Sequence, residues 1–272
     1  MDFTDIDYAV TGSAAIITLN RPEVLNAFTY HTLAEIRAAV GKAVAEPNVV
    51  GLVFTGTGRG FSAGLDASVL AEVTRPGAAP SKAPEGQLPG LFSYLLEVPK
   101  PTIAAINGVA AGGGLILALM SDLRFASTES AVTTVFLKRG LIAEHGSSWI
   151  LPRLVGVGRA LDLLWASDKI SAQDALAMGL VEKLFEPDQL LQESIAYIDK
   201  LAETSAPMAI AETKRLVYGH LGKGFRDALV EAEQSQNRFV DSDDAREGAA
   251  SFIEKRTPRF KRIGEAQDPG SA

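Results

Sequence analysis

Two stretches concentrate glycine where a strand pattern gives way to a helical one: Thr55-Gly56-Thr57-Gly58-Arg59-Gly60-Phe61-Ser62-Ala63-Gly64-Leu65-Asp66 and Asn107-Gly108-Val109-Ala110-Ala111-Gly112-Gly113-Gly114. Three chemistries use glycine in this way. A dinucleotide fingerprint requires G-x-G-x-x-G, and Gly56-Thr57-Gly58-Arg59-Gly60-Phe61 carries phenylalanine in place of the third glycine; no G-x-x-x-x-G-K-[S/T] occurs. Gly60-Phe61-Ser62-Ala63-Gly64 satisfies G-x-S-x-G, the strand-to-helix elbow that exposes a nucleophilic serine in α/β hydrolases. Ser62 stands several residues beyond the strand that should lead straight into such an elbow, and the order serine, acid, histidine leaves only His145 or His220 as its base. The third use is the backbone itself. A glycine-rich turn that opens a helix leaves N–H groups without partners, the helix dipole adds positive potential, and two such turns can share one developing oxyanion. Glycines that merely permit tight strand-to-helix packing are the plainer reading of either stretch alone.

Composition removes other chemistries. The 272 residues contain no cysteine, which excludes a thiolate nucleophile, an iron–sulfur cluster and a thiol zinc site; His31, His145 and His220 are the only imidazoles. No metal site is expected, and the chemistry rests on carboxylates, hydroxyls or the backbone. With 26 Lys+Arg against 33 Asp+Glu the net charge is −7, so nucleic acid is not an expected partner. No apolar run approaches the roughly 20 residues that span a bilayer. Met1-Asp2-Phe3-Thr4-Asp5 is acidic where an export signal is basic, so a cytoplasmic location is expected.

The elements around the glycines follow from local pattern. Ala15–Leu19 is a β-branched strand stopped at Asn20-Arg21-Pro22; Thr29 is placed to cap a helix whose Leu33, Ile36, Val40 and Val44 share one face. Val49–Phe54 is a short, almost wholly apolar run of the kind buried in a parallel sheet, and Val69–Val73 is helical. Residues 74 to 90 are dense in proline and glycine and read as a mobile insertion. After a short helix ending at Pro99, Thr102–Ile106 is a second buried strand that runs into the second glycine stretch. From Ser147 the pattern turns helical, with a strand at Val181–Phe185 and a helix capped by Ser171 and ended by Gly179. Further helices are expected over 207–256, separated near Gly219-His220-Leu221-Gly222 and Asp241–Asp244.

Taken together, Asn20-Arg21-Pro22 with Asn26-Ala27, Phe61-Ser62-Ala63-Gly64-Leu65-Asp66, Ile106-Asn107-Gly108 through Gly112-Gly113-Gly114, Leu151-Pro152-Arg153-Leu154-Val155-Gly156, Ala175 with Met178-Gly179-Leu180-Val181, and Glu247-Gly248 with Phe252, Lys255, Arg256, Pro258 and Phe260 resemble the crotonase (enoyl-CoA hydratase/isomerase) superfamily over nearly the whole chain. The resemblance implies an α/β fold, a spiral of ββα units over residues 1–200, a C-terminal helical trimerisation region over 201–263, and a tail at 264–272. It also implies acyl-CoA thioester substrates, coenzyme A entering only as part of the substrate with no separate cofactor, and assembly as a homotrimer or a dimer of trimers. The superfamily's oxyanion donors fall on the amides of Leu65 and Gly113, at the helix starts where physical reasoning also puts free N–H groups.

Hydratases of the superfamily use two glutamates, and their places hold Ile116 and Phe136 here. Neither can orient water or carry a proton. The superfamily's Δ3,Δ2-enoyl-CoA and dienoyl-CoA isomerases carry an acid at the position of Glu144, in Gly140-Leu141-Ile142-Ala143-Glu144-His145-Gly146-Ser147-Ser148-Trp149. Double-bond isomerisation with Glu144 as base is the leading expectation. Hydration or another enolate-using reaction comes next, then a non-catalytic acyl-CoA-binding role, then hydrolysis through Ser62. Spacing alone gives Glu144 a plainer role near a helix start, and His145 reads as structural, with tuning of Glu144 or substrate contact as its alternative. Val24, Ala63, Asp66, Ile116, Phe136 and Lys255 are the candidate substrate contacts. Ile116 and Phe136 serve equally as core residues, and Asp66 as the first residue of a helix rather than a catalyst. Two roles stay open for Lys255 and Arg256: contact with CoA phosphates across a subunit boundary, or a surface salt bridge.

Overall fold

The computed structural model describes residues 3–77 and 88–264. Most of the expected insertion at 74–90 and nearly all of the tail from 264 lie outside the described residues.

Strands β1 (Ile6–Thr11) and β2 (Ala14–Leu19) form an antiparallel hairpin. Helix α1 (Tyr30–Ala45) begins at Thr29, whose hydroxyl accepts the Thr32 amide while the Thr32 hydroxyl accepts the Thr29 amide, and it buries Ile36, Ala39, Val40 and Ala43. There follow β3 (Gly51–Gly56), β4 (Gly60–Ser62), α2 (Ala67–Val73), β5 (Thr102–Ile106), β6 (Val109–Ala111), α3 (Gly113–Met120), β7 (Leu123–Ser127) and β8 (Ala131–Thr133). Then come α4 (Ser147–Val155), α5 (Val157–Ala166), β9 (Ile170–Ser171), α6 (Ala172–Ala177), β10 (Lys183–Phe185) and four further helices, α7 (Leu190–Thr204), α8 (Pro207–His220), α9 (Phe225–Val240) and α10 (Asp243–Glu254).

The strands sort into a six-stranded sheet, β1-β2-β3-β5-β7-β10, and a four-stranded sheet, β4-β6-β8-β9. Each successive pair, β3/β4, β5/β6 and β7/β8, sends its first strand to the large sheet and its second to the small one, which is a spiral of ββα turns. Parallel pairing runs from β2 to β10 in the large sheet, so β3 and β5 are covered on both faces and their residues are apolar almost throughout. Helix α3 touches strands of both sheets and buries every one of its residues.

On the other face of the large sheet, Leu190 and Ile198 of α7 pack on Val53, Ile103, Ala105 and Phe125. The expected boundary at residue 200 lies inside α7, and the helix ends only at Thr204. Asp122 ties α8 to the core: its carboxylate accepts the Thr102 amide at 2.8 Å, Lys214 Nζ at 2.8 Å and the Tyr218 hydroxyl at 3.0 Å.

Candidate active site

The loop of the first glycine stretch is held by two side-chain amides, Asn26 buried and Asn107 half-buried. Asn26 accepts from Arg21 N at 2.9 Å and donates to the carbonyls of Thr57 (3.0 Å) and Gly60 (2.8 Å). Asn107 accepts from Gly56 N at 2.9 Å and donates to Gly58 O at 3.0 Å. Two asparagines from two different motifs thus clamp the same loop, 56–60, which explains why both motifs carry asparagine. The sequence reading singles out neither side chain, although both belong to the motifs that carry the resemblance.

Beyond that loop the backbone of Gly64 (φ +91°) presses against the second stretch, and Gly112 (φ +49°) turns the chain into α3. A Cβ placed on Gly113 would lie 3.5 Å from the Leu65 nitrogen, so the two expected donors are neighbours. Neither amide has a hydrogen-bond acceptor among the described residues. Gly113 is the first residue of α3 and Leu65 immediately precedes Asp66, the cap of α2, so both amides lie at helix entries, where dipole potential favours negative charge. This arrangement fits an oxyanion better than it fits mere tight packing.

Both amides open on a cleft lined by Leu65, Gly112, Gly113, Phe136, Arg139, Leu141, Glu144 and His145, with Leu70 and Leu91 at its sides. Its volume is about 20 Å³, room for about one water molecule. Larger cavities, about 740 and 520 Å³, flank α8, yet they contain neither free amide; of the two acids in the first, Glu97 and Glu212, Glu212 is already held by Arg215 and Arg238. The small cleft is therefore the candidate site.

Glu144 is the one carboxylate in its lining among the described residues. The Ser147 amide and hydroxyl both donate to the Glu144 carbonyl, at 3.1 and 2.8 Å, fixing the backbone where α4 begins. His145 is left-handed (φ +54°) and its imidazole is held below the usual histidine range by burial, with Glu144 pulling the other way.

The remaining candidates separate. Phe136 lines the cleft, as expected. Ile116 is fully buried in the core and outside the lining. Ala63 donates its amide to Leu25 O at 2.9 Å, which positions the loop rather than the cleft wall. Asp66 caps α2 and pairs with Arg21 at 3.3 Å; its carboxyl is held low chiefly by the Ser68 hydroxyl and amide. Val24, in a one-turn helix, and Lys255, left-handed at the end of α10, are both exposed and outside the lining. Arg256 forms ion pairs with Glu247 and Glu254, the surface salt bridge of its two open roles.

The reading of Ser62 as a nucleophile is corrected. Its side chain is fully buried, its hydroxyl donates to Asn26 O at 2.8 Å and accepts from Gly64 N at 3.2 Å, and no histidine reaches it among the described residues. His145, read as structural, instead lines the cleft beside Glu144. Arg139, Leu91 and Leu141 come from short turns and loop flanks without periodicity, and Leu70 from the short helix α2; none is among the candidates the sequence offers.

A ββα spiral whose two helix-opening glycine turns converge on one cleft defines a crotonase-type protein. The chain belongs to the enoyl-CoA hydratase/isomerase family, whose model matches residues 10–263. It is 30% identical over 262 residues to the short-chain-enoyl-CoA hydratase of Clostridium acetobutylicum, covering 94% of this chain and 97% of the relative. Among solved structures it is similar to an enoyl-CoA hydratase from Mycobacterium tuberculosis (30% identity, TM-score 0.85, 96% and 99% of the two chains). It is also similar to one from Bacillus anthracis (31% identity, TM-score 0.83, 96% and 100%).

Proposed function

We propose that this protein shifts the double bond of an enoyl-CoA thioester. The thioester oxygen accepts hydrogen bonds from the Leu65 and Gly113 amides, Glu144 removes a proton from C2, and the same carboxyl returns it to C4 of the resulting dienolate. These bonds strengthen as charge moves onto the oxygen, a contribution of roughly 3 kcal/mol per donor where such donors have been removed. One carboxylate suffices, because the proton it takes is the proton it gives back. The observation that carries the reading is that, among the described residues, Glu144 is the single carboxylate lining the cleft, while Ile116 and Phe136 offer hydrocarbon. Coenzyme A enters only as part of the substrate. Assembly as a trimer or dimer of trimers, in the cytoplasm, belongs to the same reading; the exposed Phe225, Phe252 and Ile253 on α9 and α10 support the assembly.

A second reading is hydration or another enolate-using reaction with Glu144 as the only acid–base group, which the names of the relatives favour. Ultraviolet absorbance of the conjugated thioester separates the two. With a short 3-enoyl-CoA, conjugation appears with the parent and not with Glu144→Ala. Silence there, with loss of conjugation from a 2-enoyl-CoA, would replace isomerisation by hydration. Silence on both substrates would end both readings and leave binding without turnover.

A further inference from the structure

We propose that His145 is a positioning residue that aims the Glu144 carboxylate into the cleft, an inference that rests on reading Glu144 as the base. The backbone of Glu144 is fixed by Ser147, but its carboxylate is not: among the described residues no hydrogen bond reaches either oxygen. Among the described residues the carboxylate's one ionic neighbour within 4 Å is Nε2 of His145, 3.7 Å from Oε1. That separation is longer than a hydrogen bond, and catalytic contacts of this kind commonly tighten only when substrate is bound. Arg139, the other charged group in the lining, forms no ion pair with Glu144.

The backbone at this point supports the same role. Two consecutive left-handed residues, His145 (φ +54°) and Gly146 (φ +86°), deliver the chain into α4. Glycine is at ease there, and histidine is among the few side chains enriched in this conformation, so the turn can present this imidazole to the cleft without great strain. The turn leaves the imidazole largely buried, beside Glu144 and in the same cleft as the Leu65 and Gly113 amides. Burial disfavours the imidazolium, so the ring can direct the carboxylate by a neutral N–H without cancelling the charge that makes it a base.

The test compares the parent with Glu144→Ala, His145→Asn and His145→Gln. Asparagine accepts the left-handed backbone readily, so His145→Asn keeps the fold while its shorter amide falls short of Glu144. Glutamine extends an N–H to nearly the reach of Nε2. Two readouts are taken: isomerisation of a 3-enoyl-CoA, and exchange of the C2 protons of butyryl-CoA in deuterium oxide by NMR, which needs only the enolate and a base. For His145→Asn a fall of about tenfold to a hundredfold is expected in kcat and in exchange rate, the scale of a misplaced catalytic group. KM should stay within about twofold, the melting temperature should be unchanged, and His145→Gln should recover most of the loss. If Glu144→Ala is inactive while His145→Asn matches the parent, or raises KM alone, the positioning role is overturned and the base survives. If Glu144→Ala still exchanges C2 protons, both fall.

Discussion

A Cβ built on Gly64 would stand 2.8 Å from the amide nitrogen of Gly113 and 2.7 Å from the Ala111 carbonyl, so the two glycine turns that hold the site are in backbone contact. Neither neighbour is a flexible side chain that could move aside. Because Gly64 also has φ +91°, alanine there is strained twice over. Gly64→Ala should spread the turns and separate the Leu65 and Gly113 donors, lowering kcat by about 10²- to 10³-fold, the scale for loss of one oxyanion donor. Steady-state kinetics on an accepted acyl-CoA checks this. Gly158→Ala, where nothing lies within 4 Å, is the control and should retain parental kcat. Equal turnover by Gly64→Ala would mean that the two amides do not act together.

Ser62 carries a structural load that its motif disguises. Replacing it by alanine leaves the Asn26 carbonyl and the Gly64 amide without their buried partner. Ser62→Ala should lower stability by about 1–3 kcal/mol, read from urea denaturation. A serine-directed phosphonate should leave the parent fully active; stoichiometric inactivation would restore the hydrolase reading.

How far the sequence exposed this site depends on the kind of signal. Helix α1 was legible because Thr29 and the Ile36/Val40 spacing are local, and β3 and β5 because central parallel strands are apolar on both faces. Leu65 and Gly113 were singled out by the resemblance together with the expectation of free N–H groups at helix starts, since glycine before a helix is by itself equally a packing device. Strands β4, β6 and β8 are three residues each and show no period, so the second sheet was hidden inside the glycine stretches. Strand β1 pairs on one side only and leaves most of its residues partly or fully exposed, which erases the apolar run. Helix α7 had a signal, Leu190, Ser194 and Ile198 one turn apart, but the reading did not place it. Arg139 and Leu91 reach the cleft only through tertiary packing, which no spacing encodes.

Glu212, in the ion cluster that joins α8 to α9, supplies a prediction in pH. Its carboxyl is held down to about 2, first by hydrogen bonds from Arg215, with burial opposing and Ser235 and Arg238 assisting. A carboxyl depressed in the folded state binds fewer protons there than in the unfolded chain, so its stabilisation is complete above the ordinary glutamate pKa, near 4.5, and is lost as pH falls towards 2. Glu212→Gln should therefore be less stable than the parent at pH 7, with the gap closing between about pH 4.5 and 2. Because Glu212 is partly exposed, raised salt should narrow the gap at neutral pH. Denaturation midpoints across pH check this; a gap independent of pH would assign the loss to packing instead.

Placing a glutamate at 116, where the resemblance sets one of the hydratase acids, tests whether this chain can carry two-carboxylate chemistry. Ile116 is fully buried in α3, a helix enclosed along its whole length and outside the cleft lining. A carboxylate there has no partner in place of the isoleucine it displaces, and burial of this kind raises a glutamate pKa by roughly three to five units. With the folded pKa then above 7, only the interval from about 4.5 to 7 counts at pH 7, and at 1.36 kcal/mol per unit Ile116→Glu should cost about 3 kcal/mol there beyond any packing loss. The sign follows from linkage: with the folded pKa above the unfolded one, the penalty vanishes below about pH 4.5 and grows as pH rises to the folded value. Urea midpoints at pH 4 and pH 7 should therefore diverge, the variant losing most at pH 7. A variant equally stable at both values would mean that the α3 site already has room and polarity for an acid, and would revive hydration as the reaction to test.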